Sequence, residues 1–161
     1  IWRLVLAAAL GGALGLERSL ASKHAGMRTY ALVSTGSAMF VIVGIMASYQ
    51  LADFTGVNPL QIASNVVLGV GFLGTGLAVF RGDHPVELTT AAGLWVSAGV
   101  GMAAGFGFSI LALGGAVLAV LILSMLLTVE NNMRDTFAYP ERPLGEKIAP
   151  KPRQKKTAAV Q

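Results

Sequence analysis

The chain has 161 residues, of which 54% are hydrophobic and 12% charged, with twenty glycines and a net charge of +4. So few charges cannot cover the exterior of a water-soluble domain of this length, and the mean hydropathy of +0.66 agrees, which leaves a membrane protein. With no cysteine, neither a disulfide framework nor a thiolate metal site can be built.

Charges punctuate the sequence, and the uncharged gaps between them can be measured against the hydrocarbon core, which takes about 20 apolar residues of helix to cross. The chain opens on Ile1 rather than Met, so residues before it are expected, and the first helix is predicted near 1–17. A charged loop follows with Arg18, Lys23, His24 and Arg28 beside Glu17. Uncharged stretches then predict a second helix near 29–50 and a third near 60–80. Leu88 to Val129 holds roughly forty uncharged residues, about 60 Å as one helix and twice the core thickness, so it must fold back. The break is expected at Gly105-Phe106-Gly107, where paired glycines weaken helix, giving helices near 88–104 and 108–130. The fold class is therefore all-α: a polytopic membrane protein of about five transmembrane helices packed through small residues.

Basic residues set the topology, because Lys and Arg near helix ends are retained in the cytoplasm. Arg18, Lys23 and Arg28 in the first loop, Arg81 in the third and the seven basic residues from Arg134 to Lys156 share one side if five helices cross. The second and fourth loops carry no Lys or Arg; Arg3 alone disagrees. The transmembrane domain is drawn as 1–130. Residues 131–161 are expected to be a disordered basic cytoplasmic tail, since Pro140, Pro143, Pro150 and Pro152 exclude regular helix. That tail either retains topology and solubility or lies on anionic headgroups, at about 1 kcal/mol per charge.

Gly69-x-Gly71-x-x-Gly74 matches a dinucleotide fingerprint only as a string, because it sits inside an apolar helix-length run with no strand before it. In lipid such glycines let helix backbones approach, and Gly69, Gly74, Gly76, Gly101 and Gly105 are read as packing residues. Asn65 and Gln61, four apart on the third helix, are expected to hydrogen-bond a neighbouring helix or to line a small polar cavity. Thr89 and Thr90 follow Glu87 at the start of the fourth helix and suit capping.

His24 and His84 lack ligand partners at metal-binding spacing, and no catalytic constellation can be placed, so no metal site, cofactor or enzymatic activity is expected. No nucleic-acid partner is expected either. A magnesium path is hard to build, because Mg²⁺ keeps its waters and meets one or two carboxylates, whereas the acidic residues lie near helix ends. Glu17 and Arg28 fall at the same membrane face, where an ion pair between them would ease placement near the hydrocarbon edge. The alternative is that the basic residues only fix topology while Glu17 is solvated.

ALGLER at 13–18, AGMRTYALVSTGSAMF at 25–40, GVGFLGTG at 69–76 and LTTAAGLWVSAGVGMAAGFG at 88–107 resemble, in order and spacing, the successive signatures of the MgtC/SapB membrane family. The resemblance implies a bacterial inner-membrane protein with five helices, linked to adaptation to magnesium limitation and, in pathogens, to survival in phagocytes. It implies a regulatory role, including restraint of an F-type ATP synthase, with magnesium or other ion transport as the alternative; a homo-oligomer in the lipid bilayer is a further expectation. Candidate functional or structural residues are Glu17, Arg18, Arg28, Thr29, Asn65, Gly71, Gly74, Gly76, Arg81, Thr89, Thr90 and Trp95. The chain departs from the pattern at Gln61 and Glu87 and has a Pro- and Lys-rich tail where longer members carry a folded soluble domain.

Overall fold

The structure, a computed structural model, describes residues 1–21, 23, 25–51, 58–79 and 88–137, with side chains described to residue 77 in the third helix and 126 in the fifth. Five helices follow in order: α1 Trp2–Leu20, α2 Met27–Gln50, α3 Pro59–Val79, α4 Leu88–Phe106 and α5 Ser109–Phe137. Helix α5 thus continues past the boundary drawn at 130. Asn131 to Phe137 contain neither proline nor glycine, and the first helix-breaking residue after them is Pro140. The rest of the expected tail lies outside the described residues.

Local chemistry sets the ends. Pro59 takes the first helical position of α3, where its missing N–H costs nothing, and the Asn58 side chain caps the helix by accepting from the Leu60 N–H at 2.9 Å. The fold-back expected around Gly105 falls on Gly107, which has φ +92°. Gly107 N–H donates to Ala104 O at 3.0 Å and Phe108 N–H to Ala103 O at 2.9 Å, the paired bonds by which a left-handed residue closes a helix. Arg3 reaches across from α1 and donates to Gly105 O at 3.1 Å, satisfying another terminal carbonyl of α4. The basic residue that disagreed with the topology rule therefore has a local role on that side.

Helix α4 touches all four other helices, which form an arc around it in the order α3, α2, α1, α5; among the described residues α3 and α5 make no contact. Contacts between Gly15 and Met27, Gly11 and Ser34, and Arg3 and Gly105 show that α1 runs antiparallel to α2 and α4. Tyr30 against Gly93 and Ala38 against Gly105 make α2 and α4 parallel. Met27–Gln50, Pro59–Leu77, Leu88–Phe106 and Ser109–Leu126 are long and apolar enough to cross a membrane. Helix α1 falls short of that mark by composition because it carries Arg3, Glu17 and Arg18. Its 19 residues, about 28 Å of helix, nevertheless lie alongside α2 and α4 with those charges at its two ends.

Backbone approach is what the small residues provide. A methyl group on Gly11 would lie 2.6 Å from Ser34 Cβ and one on Gly105 2.8 Å from Ala38 O; on Gly101 it would run into the Ser34 carbonyl. The core between α1, α2 and α4 is accordingly made of Ala7, Leu14, Ala38, Leu94, Ala98 and Ala104.

Candidate functional site

The end of the bundle that gathers the charged loop begins with α1 and its turn into α2. Ser19 Oγ donates to Gly15 O at 3.0 Å and accepts from Met27 N–H at 3.1 Å, so a side chain of α1 caps the first amide of α2. A Cβ on Gly15 would lie 2.8 Å from Gly26 O, which brings the two helix ends into backbone contact. Directly before Ser19, Arg18 is 2% exposed and is bound by both carboxylate oxygens of Glu17: Nη2 donates to Oε1 at 2.7 Å and Nε to Oε2. A forked guanidinium–carboxylate pair of this kind offsets much of the cost of burying a permanent cation.

That pair corrects the expectation of a Glu17–Arg28 bridge. Arg28 lies in the first turn of α2 on the exposed face, as does Thr29, and among the described residues the carboxylate of Glu17 is held by its chain neighbour. The reason is rotational: on a helix, neighbours in sequence diverge by about 100°, but two flexible side chains at the last turn can wrap toward each other.

One turn deeper, Tyr30 is fully buried and ties α2 to α4 twice. Its hydroxyl donates to Thr90 O at 3.1 Å, and Ser97 Oγ donates to Tyr30 O at 2.9 Å. Gly93 makes room for the ring, since any side chain there would strike the Tyr30 hydroxyl. Ser34 Oγ donates to Ala7 O at 2.8 Å and joins α1 to the same cluster. No buried side-chain nitrogen or oxygen among the described residues is left without a hydrogen-bond partner. Such bonds between membrane helices contribute roughly 0.6 to 2 kcal/mol each.

The structure therefore brings Arg18, Glu17 and Thr90 to one end and scatters the other candidates. Thr89 is exposed, and the capping reading that involves Glu87 lies outside the described residues, as does Arg81. Trp95, 54% exposed, lines an apolar groove of about 340 Å³ along α4 between α3 and α5. Gly74 packs on Ala91 of α4 at an ordinary 3.4 Å, whereas Gly71 and Gly76 have nothing within 4 Å of where a Cβ would stand. The interhelical bond expected of Asn65 and Gln61 is corrected: both are exposed on the outer face of α3 and their side-chain amides bond to nothing among the described residues. Asn65 instead borders an apolar groove of about 530 Å³ between α2 and α3.

Tyr30, Ser34 and Ser97 were not singled out from sequence. Their signal was available in the spacing, because Ser97, Gly101 and Gly105 recur every four residues and so share one face of α4 with the glycines that touch α2. Among the described residues no three His, Asp or Glu come together as a metal site would require.

A polytopic helical membrane protein, with a glycine- and serine-lined core and one buried ion pair at the end of that core, is the class these features define. The model of the MgtC family matches residues 4–132, and the chain belongs to that family. It is 44% identical over 127 residues to YhiD of Escherichia coli K12, provisionally named a magnesium transporter; the match covers 78% of this chain and 59% of that protein. It is 39% identical over 132 residues to SrpB of Synechococcus elongatus, with 76% and 72% covered. To MgtC of Salmonella typhimurium it is 40% identical over 107 residues, with 66% and 43% covered. The chain thus spans less than two thirds of YhiD and less than half of MgtC. No solved structure matches it.

Proposed function

We propose that this chain is a multi-pass protein of the bacterial inner membrane, with its C-terminus in the cytoplasm, that serves adaptation to magnesium limitation by contact with another membrane complex. The observation that carries this reading is the closure of the core: α1, α2 and α4 meet through backbone at Gly11, Gly101 and Gly105. A magnesium ion that keeps several waters needs a wide path and carboxylates along it, and in the described core the carboxylate of Glu17 is already taken by Arg18. A contact regulator needs neither path nor free ligand, only a rigid surface. The partner that the family resemblance implies is an F-type ATP synthase, and the action is non-catalytic.

The test is flux. Purified protein in liposomes loaded with a magnesium-sensitive dye should give the same signal as protein-free liposomes, while ATP-driven proton pumping in inverted membrane vesicles should fall when the protein is present. Protein-dependent magnesium entry would overturn the reading in favour of transport, which the name given to YhiD favours and which an oligomer axis would have to provide. Topology has its own check: reporters fused at Gly56 and Gln161 should report opposite sides of the membrane.

A further inference from the structure

Helices α3 and α5 are both peripheral, yet they present different chemistry outward. The exposed face of α5 is aliphatic around the open Gly114, with Ile110, Leu113, Val117 and Leu121 suited to lipid tails and no polar side chain among them. The exposed face of α3 holds Asn65, whose amide bonds to nothing among the described residues, the open glycines Gly69 and Gly76, and Phe72, which stands 79% exposed beside them. An unpaired amide is costly against hydrocarbon and favourable against another helix, and open glycines let that helix approach closely. We infer that this face of α3 is an interface with a second copy of this chain, in which Phe72 of each copy enters the notch between Gly69 and Gly76 of the other and the two Asn65 amides bond to each other.

The choice of a second copy comes from the register of the face. Two copies inserted the same way are related by a two-fold axis along the membrane normal, so every residue of α3 lies at the same depth as its counterpart. Such an interface closes only if knob and notch share one depth. The midpoint of Gly69 and Gly76 falls half a residue from Phe72, under about 1 Å at 1.5 Å rise per residue. The two must also lie on opposite sides of the axis. At about 100° per residue counted from Gln61, Phe72 falls near 20° and the notch near 70°, so an axis near 45° exchanges them. Asn65 falls at about 40°, on that axis, where a primary amide meets its own image as both donor and acceptor. Gly69 also lines the 530 Å³ groove between α2 and α3, so the notch opens into space that a ring can enter.

The absence of native cysteine makes the test direct. Single cysteines at Asn65, Phe72 and Gly76 in the full chain, oxidised in native membranes, should give a disulfide-linked species of twice the chain mass. Leu60→Cys on the flank of α3 and Val117→Cys on α5 should give at least tenfold less. Filling the notch with Gly69→Leu and Gly76→Leu should lower the Asn65→Cys crosslink at least tenfold and shift the detergent-solubilised protein to the monomer mass. These outer positions touch nothing within 4 Å, so the monomer should fold; its melting temperature, compared with the parent's under conditions where both are monomeric, verifies that. Equal crosslinking at Val117→Cys, no crosslink at any α3 position, or adducts only to a different protein would each overturn the inference.

Discussion

Helices α4 and α5 are consecutive and free of charge over their spans, but they use apolar character in opposite ways. The α5 span has mean hydropathy 2.5 and is 11% buried, while that of α4 has 1.2 and is 56% buried. In water this order would be reversed. In lipid the most apolar helix faces outward, because tails solvate Leu and Val as well as protein does, and the interior goes to residues that gain from close approach or from a hydrogen bond. Five of the nine buried residues of α4, Thr90, Gly93, Ser97, Gly101 and Gly105, are of that kind.

The sharpest way to break this contrast is a large residue on each helix. Gly101→Leu should abolish the monodisperse folded peak in detergent size-exclusion chromatography, since even a methyl there meets the Ser34 carbonyl. Gly114→Leu on α5, which has nothing within 4 Å, should leave the peak and melting temperature unchanged. Equal damage from both would mean that α5 is not a lipid-facing helix.

Next in size is the ion pair at the end of the core. Glu17→Gln removes the carboxylate that forks the buried Arg18 guanidinium and should cost up to about 3 kcal/mol, read as a lowered unfolding midpoint. A double-mutant cycle of Glu17→Gln with Arg18→Gln should show coupling, whereas the cycle with Arg28→Gln should be additive within about 0.5 kcal/mol. Coupling to Arg28 instead would restore the bridge across the hairpin.

Tyr30→Phe removes the donor to Thr90 O and should cost about 1 kcal/mol, against no measurable change for Tyr49→Phe, whose side chain is 80% exposed. Among the buried positions the smallest effect is expected at Gly74→Ala, within about 0.5 kcal/mol, because the added methyl would sit at ordinary contact with Ala91. Together these variants rank glycines and hydroxyls by what they touch, which composition cannot do.

Five helices, their ends to within three residues except the C-terminal end of α5, and the family were legible in the sequence. Charges cannot sit in hydrocarbon, so their spacing marks off spans along one dimension, and four motifs in order supplied the rest. The partner of Glu17, the outward turn of Asn65, the role of Arg3 and the division of glycines into packed Gly11, Gly101 and Gly105 and open Gly69, Gly71 and Gly76 were decided only by the tertiary structure. Each depends on the rotation of a helix about its own axis. That angle is fixed by which neighbours it meets, and α2, α3 and α4 carry small residues on more than one face, so the sequence offers each helix several packable sides and only the assembled bundle selects one.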